Sequence, residues 1–192
     1  MQSTAALILA AGLGTRFGGR KLLAPIGGKP MLQHVLDLCA AAELAPVVVV
    51  VGDDADELAS SCSWRSELRV VNRTPAEGIA GSVKLGMWVL MRHHAERAVV
   101  LLGDQPFLAL EQLDAVLAAT GQIVVPRYGG RPGNPVVLDR SMWQLASSLS
   151  GDRGFSQVFS DFPNLVTYVD VPGTNPDIDE PSDLPESPGQ FD

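Results

Sequence analysis

Short aliphatic runs alternate along the chain with longer segments in which apolar residues recur at helical spacing. The runs Ala5–Leu9, Val47–Val51, Leu68–Val71, Ala98–Leu102, Ile123–Val125 and Val166–Val169 predict strands. Most are apolar at every position, and a strand with two apolar faces belongs in a sheet covered on both sides. Between them, Pro30–Glu43, Gly81–Ala95, Leu110–Thr120 and Arg140–Ser150 predict helices. In the second of these, Val83, Met87, Leu90 and Met91 share the face that would lie on the sheet. Pro30 suits a first helical turn, where no backbone donor is needed. Alternation of this kind predicts an α/β fold with a doubly wound, mostly parallel sheet and right-handed crossovers. One segment breaks the rhythm. In Tyr128–Leu138, YGGRPGNPVVL, glycines and prolines imply a loop leading into a strand or hairpin outside the βα repeat.

A length of 192 residues predicts one domain, spanning 1–184, with the last eight residues, PESPGQFD, as a mobile tail. The 46% hydrophobic content excludes global disorder. The net charge of −8, from 14 Lys and Arg against 22 Asp and Glu, argues against a nucleic-acid partner. It leaves room for a phosphorylated ligand held by a few placed cations. Cys39 and Cys62 make no disulfide framework, and three histidines are too few and scattered for a zinc site, so a reducing compartment fits. The opening MQSTAALILAAGLG lacks a basic leader, and its apolar run stops at glycines. The other long apolar run, Pro46–Val51, falls far short of the roughly 20 residues of a membrane span. A soluble, cytoplasmic protein is the expectation.

The most informative stretch is Leu9–Lys21, LAAGLGTRFGGRK. It joins a buried strand to a helix, which places it at the carboxyl edge of the sheet, where open α/β folds bind ligands. Gly12, Gly14, Gly18 and Gly19 let the backbone approach a ligand and turn N–H groups toward an anion. Arg16, Arg20 and Lys21 add cations, arginine as a fork and lysine as a compact charge. Two familiar phosphate loops fail here. The dinucleotide fingerprint needs a glycine where Phe17 stands, and no acidic residue follows the second strand at its distance of about 20 residues. No window matches the Walker pattern.

LAAGLGTRFGGRKLL followed by GKP resembles the signature of nucleotidyltransferases with the nucleotide-diphosphosugar transferase fold, a three-layer, Rossmann-like architecture. The nearest likeness is to the MobA-like branch, especially the molybdenum cofactor cytidylyltransferases. The likeness recurs in order through NRTPAEGIAGSVKLG, VVLLGDQPFL, VVPRYGGRPGNPVVL, GDRG and PDIDEPSDL, nearly the whole chain. It implies a nucleotide-binding half over about 1–107 and an acceptor-binding half over about 108–184. It assigns Leu9, Ala10, Ala11, Gly12, Gly14, Arg16 and Lys21 to the base edge and phosphates. The small pair Ala10-Ala11 would leave room for cytosine, so CTP is expected ahead of GTP.

Asp104 ends an apolar strand and is followed by Gln105-Pro106, so its carboxylate points into the ligand crevice, placed for Mg²⁺. An aspartate there also suits a helix cap; the resemblance makes it the family's metal carboxylate. Asp179, in Asp177-Ile178-Asp179, is either a second metal or metal-water ligand or part of a solvated turn. Glu180-Pro181-Ser182-Asp183 stands where relatives usually have Thr-Pro-Glu-Asp, which leaves the cap after Asp179 open. Asn72, Gly78 and Ser82 fall, by resemblance, in the region that meets base and ribose, and Ser82 also reads as a helix N-cap. Arg127, Arg131, Asn134, Asp152 and Arg153 supply cations and amides for an acceptor bearing a phosphate, or are surface charges. Arg16, Lys21 and Asp104 are the expected catalytic residues. The resemblance thus implies transfer of CMP from CTP to the phosphate of molybdopterin, with Mg²⁺ and release of pyrophosphate. A molybdoenzyme would be a possible recipient. A guanylyltransferase, a sugar- or polyol-phosphate cytidylyltransferase, and a non-catalytic maturation factor that binds nucleotide remain as alternatives.

Overall fold

The computed structural model describes residues 3–152 and 154–184. The expected tail at 185–192 lies outside the described residues, as does Arg153. The strands are β1 (Thr4–Ala10), β2 (Pro25–Ile26), β3 (Lys29–Pro30), β4 (Val47–Val51), β5 (Leu68–Val71), β6 (Arg97–Leu102), β7 (Ile123–Tyr128), β8 (Arg131–Pro132), β9 (Val136–Asp139) and β10 (Val166–Val171). The helices are α1 (Met31–Ala41), α2 (Ala55–Ser61), α3 (Ile79–Leu90), α4 (Leu110–Ala118) and α5 (Ser156–Asp161).

Seven strands run in the order β10-β7-β9-β6-β1-β4-β5, and β8 adds an eighth by pairing with β7. The pairs β6·β1, β1·β4, β4·β5 and β10·β7 are parallel, as the alternating pattern requires. β9 is antiparallel to both β6 and β7. Its reversal follows from Gly129 and Gly130, both at positive φ, which turn the chain back through the β7–β8 hairpin. The irregular YGGRPG segment is that hairpin.

Alternate residues of the central strands feed two apolar layers. Ala6, Ile8 and Val49 pack with Leu32, Leu36 and Leu113 of α1 and α4, while Leu7, Val48 and Val50 pack with Val83, Met87 and Leu90 of α3. The sheet is therefore covered on both faces, which is why its strands are apolar throughout. Cys39 and Cys62 are buried free thiols, which burial pushes up to about 12 and about 11 respectively. Among the described residues, no helix is long and apolar enough to cross a membrane.

Four local expectations change. Pro30 caps α1 from outside rather than opening its first turn. α3 begins two residues earlier than expected, at Ile79, and ends at Leu90, with Met91 just beyond it. The segment Arg140–Ser148 winds as a 3₁₀ helix rather than an α-helix. Its buried residues Trp143 and Ala146, with Leu149 just past its end, recur every third position, the period of a 3₁₀ turn. α2 was not expected, because its seven residues bury only Leu58 and so carry no periodic signal.

α3 lies close enough to β1 that a Cβ on Gly86 would stand 2.2 Å from Leu7 Cδ1 and 3.0 Å from Val50 Cγ2. Gly86→Ala should therefore lose about 1–3 kcal/mol by overpacking, more than the roughly 1 kcal/mol that alanine gains in helix propensity. Urea unfolding measures the balance, and a stabilised variant would mean that α3 does not seat this closely.

Candidate functional site

Two chain reversals build the site at the carboxyl ends of the parallel strands. After β1, Gly14 turns at φ +57, and a Cβ there would stand 3.1 Å from Cβ of Lys21. The loop thus folds back until its start touches its end, held by bonds from the N–H groups of Phe17 and Gly19 to Gly14 O, 3.0 Å each. Glycine takes that backbone angle with no Cβ to clash. The reversal brings Lys21, first residue of the 3₁₀ turn Lys21–Leu23, beside the end of β6.

Lys21 Nζ donates to Asp104 Oδ2 at 2.7 Å and to Asp179 Oδ1 at 3.0 Å. Arg16 pairs with the other oxygen of Asp179 at 3.0 Å. The lysine side chain is only 11% exposed. Burial pulls its pKa down, but the hydrogen bonds and charges of Asp104 and Asp179 outweigh that, and the net direction is up. Asp177 stands beside them, and its carboxyl is pushed up by burial and by the charge of Asp104. The departure at Glu180 and Ser182 leaves the cap intact, because Asp183 Oδ2 accepts from the N–H groups of Asp179 and Glu180, both at 2.8 Å.

These groups line a cleft of about 570 Å³, within the size of small-ligand sites. Leu9, Ala11, Gly12, Gly14, Arg16 and Lys21 line it from the glycine loop, and Gly78, Ser82, Asp104 and Asp179 line it from the other segments. Ala10 lines an adjoining, narrower recess of about 190 Å³ that shares Gly12, Lys21 and Asp104 with the cleft and adds Asp53 and Asp54. Asn72 lies behind Ser82, donating to its hydroxyl at 3.0 Å while accepting from Thr74 N at 2.9 Å. Ser82 is no N-cap: it is the fourth residue of α3, whose cap position is Gly78. Asp104 caps no helix either, since α4 begins at Leu110 with Ala109 before it.

Gly78 is held at φ +98 against the 151–152 turn, where a Cβ would meet Gly151 C at 2.6 Å. Gly151 O accepts from Ala80 N in the first turn of α3 at 3.1 Å. This turn carries Asp152 to the seam between the main cleft and a second cavity of about 260 Å³. The second cavity has aliphatic and aromatic walls, including Val100, Val136, Phe155 and Phe159, with Asn134 among the lining residues. Arg127 lines neither space; its guanidinium forms two 2.9 Å bonds to Asp170. Arg131 is exposed on the hairpin.

Sequence reasoning missed Asp53, Asp54, Gln105, Phe155 and Phe159. Asp53-Asp54 follows β4 as Asp104 follows β6, so the strand-end position that marks Asp104 was available for them too. Burial, with the charges of Glu57 and Asp53, pushes the Asp54 carboxyl up. The two phenylalanines carry no pattern that separates a cavity wall from core.

A glycine loop whose two cations meet the carboxylates of Asp104 and Asp179 at the carboxyl edge of a doubly wound sheet is an α/β arrangement suited to an anionic ligand. The chain belongs to the family described as the MobA-like NTP transferase domain, whose profile matches residues 6–165. The bifunctional protein GlmU of Sphingopyxis alaskensis is 37% identical over 170 residues, which is 86% of this chain. The chain spans about a third of that protein's length, 34%. Among solved structures, Rv0371c of Mycobacterium tuberculosis H37Rv superposes with a TM-score of 0.84 at 27% identity, covering 93% of each chain. Its complex with manganese gives 0.77 at 25%, covering 93% of this chain and 94% of that one. CMP:2-keto-3-deoxy-manno-octonic acid synthetase complexed with CTP shares the fold, with a TM-score of 0.72 at 16% identity over 94% of each chain.

Because the Lys21 pKa lies above its unfolded value of 10.5, its ion pairs contribute fully below that pH and fade as pH rises through the folded value. Lys21→Met should therefore be less stable than the parent at neutral pH, with a gap that narrows under strongly alkaline conditions. Urea midpoints across pH test this; a gap that widens would contradict the ion-pair geometry.

Proposed function

We propose that the protein transfers CMP from CTP to the terminal phosphate of molybdopterin, releasing pyrophosphate. One observation carries the reading: Arg16 and Lys21 from the glycine loop, Asp104 from the turn after β6 and Asp179 from the segment after β10 meet in one cleft. In nucleotidyl transfer, negative charge grows on the oxygens of the reacting phosphorus and on the departing pyrophosphate, and fixed cations and N–H groups there lower the barrier. The loop's backbone cradles the triphosphate, with Leu9, Ala10, Ala11, Gly12 and Gly14 along its base edge and phosphates. Asn72, Gly78 and Ser82 border the ribose side. The acceptor phosphate is already an ionised nucleophile, so placement and charge stabilisation suffice without a covalent enzyme intermediate.

A divalent metal suits the donor set. Two carboxylates already converge on one cation, the Lys21 ammonium, and hard oxygen donors suit Mg²⁺ or Mn²⁺. Among the described residues no group of three or more acidic, histidine or cysteine side chains is arranged to hold an ion, so triphosphate oxygens and water would complete the shell. Asp104 and Asp179 would hold Mg²⁺, which when bound neutralises charge on the triphosphate oxygens. Lys21 and Arg16 are then free to turn toward the phosphates.

The second cavity supports the acceptor side of this reading. The faces of a flat fused heterocycle suit apolar walls, with Asn134 and Asp152 at hand for its polar edge, whereas a polyhydroxylated sugar carries hydroxyl groups all round. Asn134 and Asp152 line it; Arg127, Arg131 and Arg153 belong to the same acceptor-binding half, 108–184, with Arg127 bonded to Asp170. A cytoplasmic location, where nucleoside triphosphates and a molybdoenzyme recipient are both at hand, fits this role.

Pyrophosphate release measured with CTP or GTP, and with molybdopterin or a sugar phosphate as acceptor, tests the reading. CTP with molybdopterin should give the highest kcat/KM; tight nucleotide binding with no release would instead mark a maturation factor. Lys21→Ala should lower kcat by about 10²–10³-fold, the cost of losing one fixed charge at such a site, while the fold survives. In the nucleotide-free protein, Lys21→Met should bind Mn²⁺ more tightly than the parent, because the competing ammonium is gone. Titration followed by electron paramagnetic resonance reads this, and unchanged or weaker binding would mean that the metal does not share the lysine's place.

A further inference from the structure

Nothing in the chain's course holds Asp179 next to Asp104. One ends β6, the other lies in an extended segment after β10, and no regular element joins them. Their approach is set by a small network of amides. Ile178 N donates to Asp104 O at 3.0 Å, and the Ile178 side chain is buried in the core. Gln105, 6% exposed, donates from Nε2 to Asp177 Oδ1 at 2.8 Å and to Asn175 O at 3.3 Å. Asn175 returns a bond from Nδ2 to Gln105 Oε1 at 3.0 Å, and a second to Asn134 O, also at 3.0 Å. Tyr128 donates to that same Asn134 carbonyl at 2.9 Å. Both ends of the Gln105 amide are thus engaged, and its loss would strand several groups that are shielded from water.

Resting on the reading that Asp104 and Asp179 hold a divalent metal, we infer that Gln105 and Asn175 are positioning residues for that pair. Their interlocked amides clamp the 175–179 segment to the end of β6 and thereby fix the separation of the two carboxylates. Asp177 serves as the acceptor for the clamp rather than as a metal ligand. Because Asn175 also holds the Asn134 carbonyl, the clamp ties the β8–β9 connection, at the edge of the second cavity, to the same two carboxylates.

The test is a reversal of the Gln105–Asp177 bond, read by Mn²⁺ affinity from electron paramagnetic resonance and by steady-state kinetics. Gln105→Glu sets two carboxylates against each other and should weaken Mn²⁺ binding by about tenfold or more, the usual effect of removing a partner that orients a ligand. It should lower kcat while leaving KM for CTP nearly unchanged, because the glycine loop is untouched. Asp177→Asn preserves the bond, since its amide oxygen still accepts, and should bind Mn²⁺ within about twofold of the parent. The double variant Gln105→Glu with Asp177→Asn lets the new amide donate to the new carboxylate and should regain most of the lost affinity, a coupling expected only of groups in contact. Should Gln105→Glu fail to fold, Asn175→Asp removes both Nδ2 bonds and should show the same loss of affinity. The inference is overturned if the double variant binds no better than Gln105→Glu, or if Asp177→Asn alone binds as poorly as Asp104→Asn. If Asp104→Asn itself binds Mn²⁺ like the parent, the metal reading beneath the inference fails, which is a separate and distinguishable result.

Discussion

Two carboxylates that arrive from distant parts of a chain repel unless something positive stands between them. Like charges 4 Å apart repel by about 4 kcal/mol at the effective dielectric of a protein surface, enough to push the 175–179 segment away from β6. The Lys21 ammonium removes that penalty with bonds of 2.7 and 3.0 Å, and Arg16 extends the neutralisation to the far oxygen of Asp179. The glycine loop and the C-terminal segment are therefore joined chiefly through charge at this point. The ligands that this cleft suits, a triphosphate and its metal, carry the same two signs of charge as the groups already paired, so they enter by exchange rather than by filling an uncharged hole.

The rest of the architecture serves that meeting. A sheet buried on both faces gives β1, β4 and β6 a common edge, and each ends in a turn that bears functional groups: the glycine loop, Asp53-Asp54, and Asp104-Gln105. The antiparallel β9 widens the sheet beyond β6 and carries Val136 into the second cavity. Close backbone contact does the remaining placement, with Gly78 pressed on Gly151 so that Asp152 reaches the seam between the two spaces.

Where periodicity carries the information, the chain is legible. The five valines of β4 and the Val83-Met87-Leu90 stripe of α3 announce their burial, and the dense glycines before Lys21 announce an anion loop. Asp104 is readable because it follows an apolar strand. α2 is not, because a helix that buries one leucine is indistinguishable from a polar loop. The 140–148 segment misleads because a three-residue period differs little from 3.6 over nine residues. Gln105 and Asn175 leave no trace in pattern: an amide in a loop becomes a clamp only through a partner some 70 positions away. Arg127 illustrates the converse, a cation whose residue type suits an anionic ligand but whose neighbour on the adjacent strand is Asp170.

The two thiols complete the picture from the opposite side of function. Cys39, within α1, and Cys62, at the end of α2, are buried in the same apolar layer, where burial holds both protonated far above neutral pH. Since thiolate is the form that attacks oxidants and disulfides, both are kept chemically quiet. The two thiols are thus kept apart from the chemistry of the charged cleft, and a thiol reagent should reach them only when the apolar layer opens.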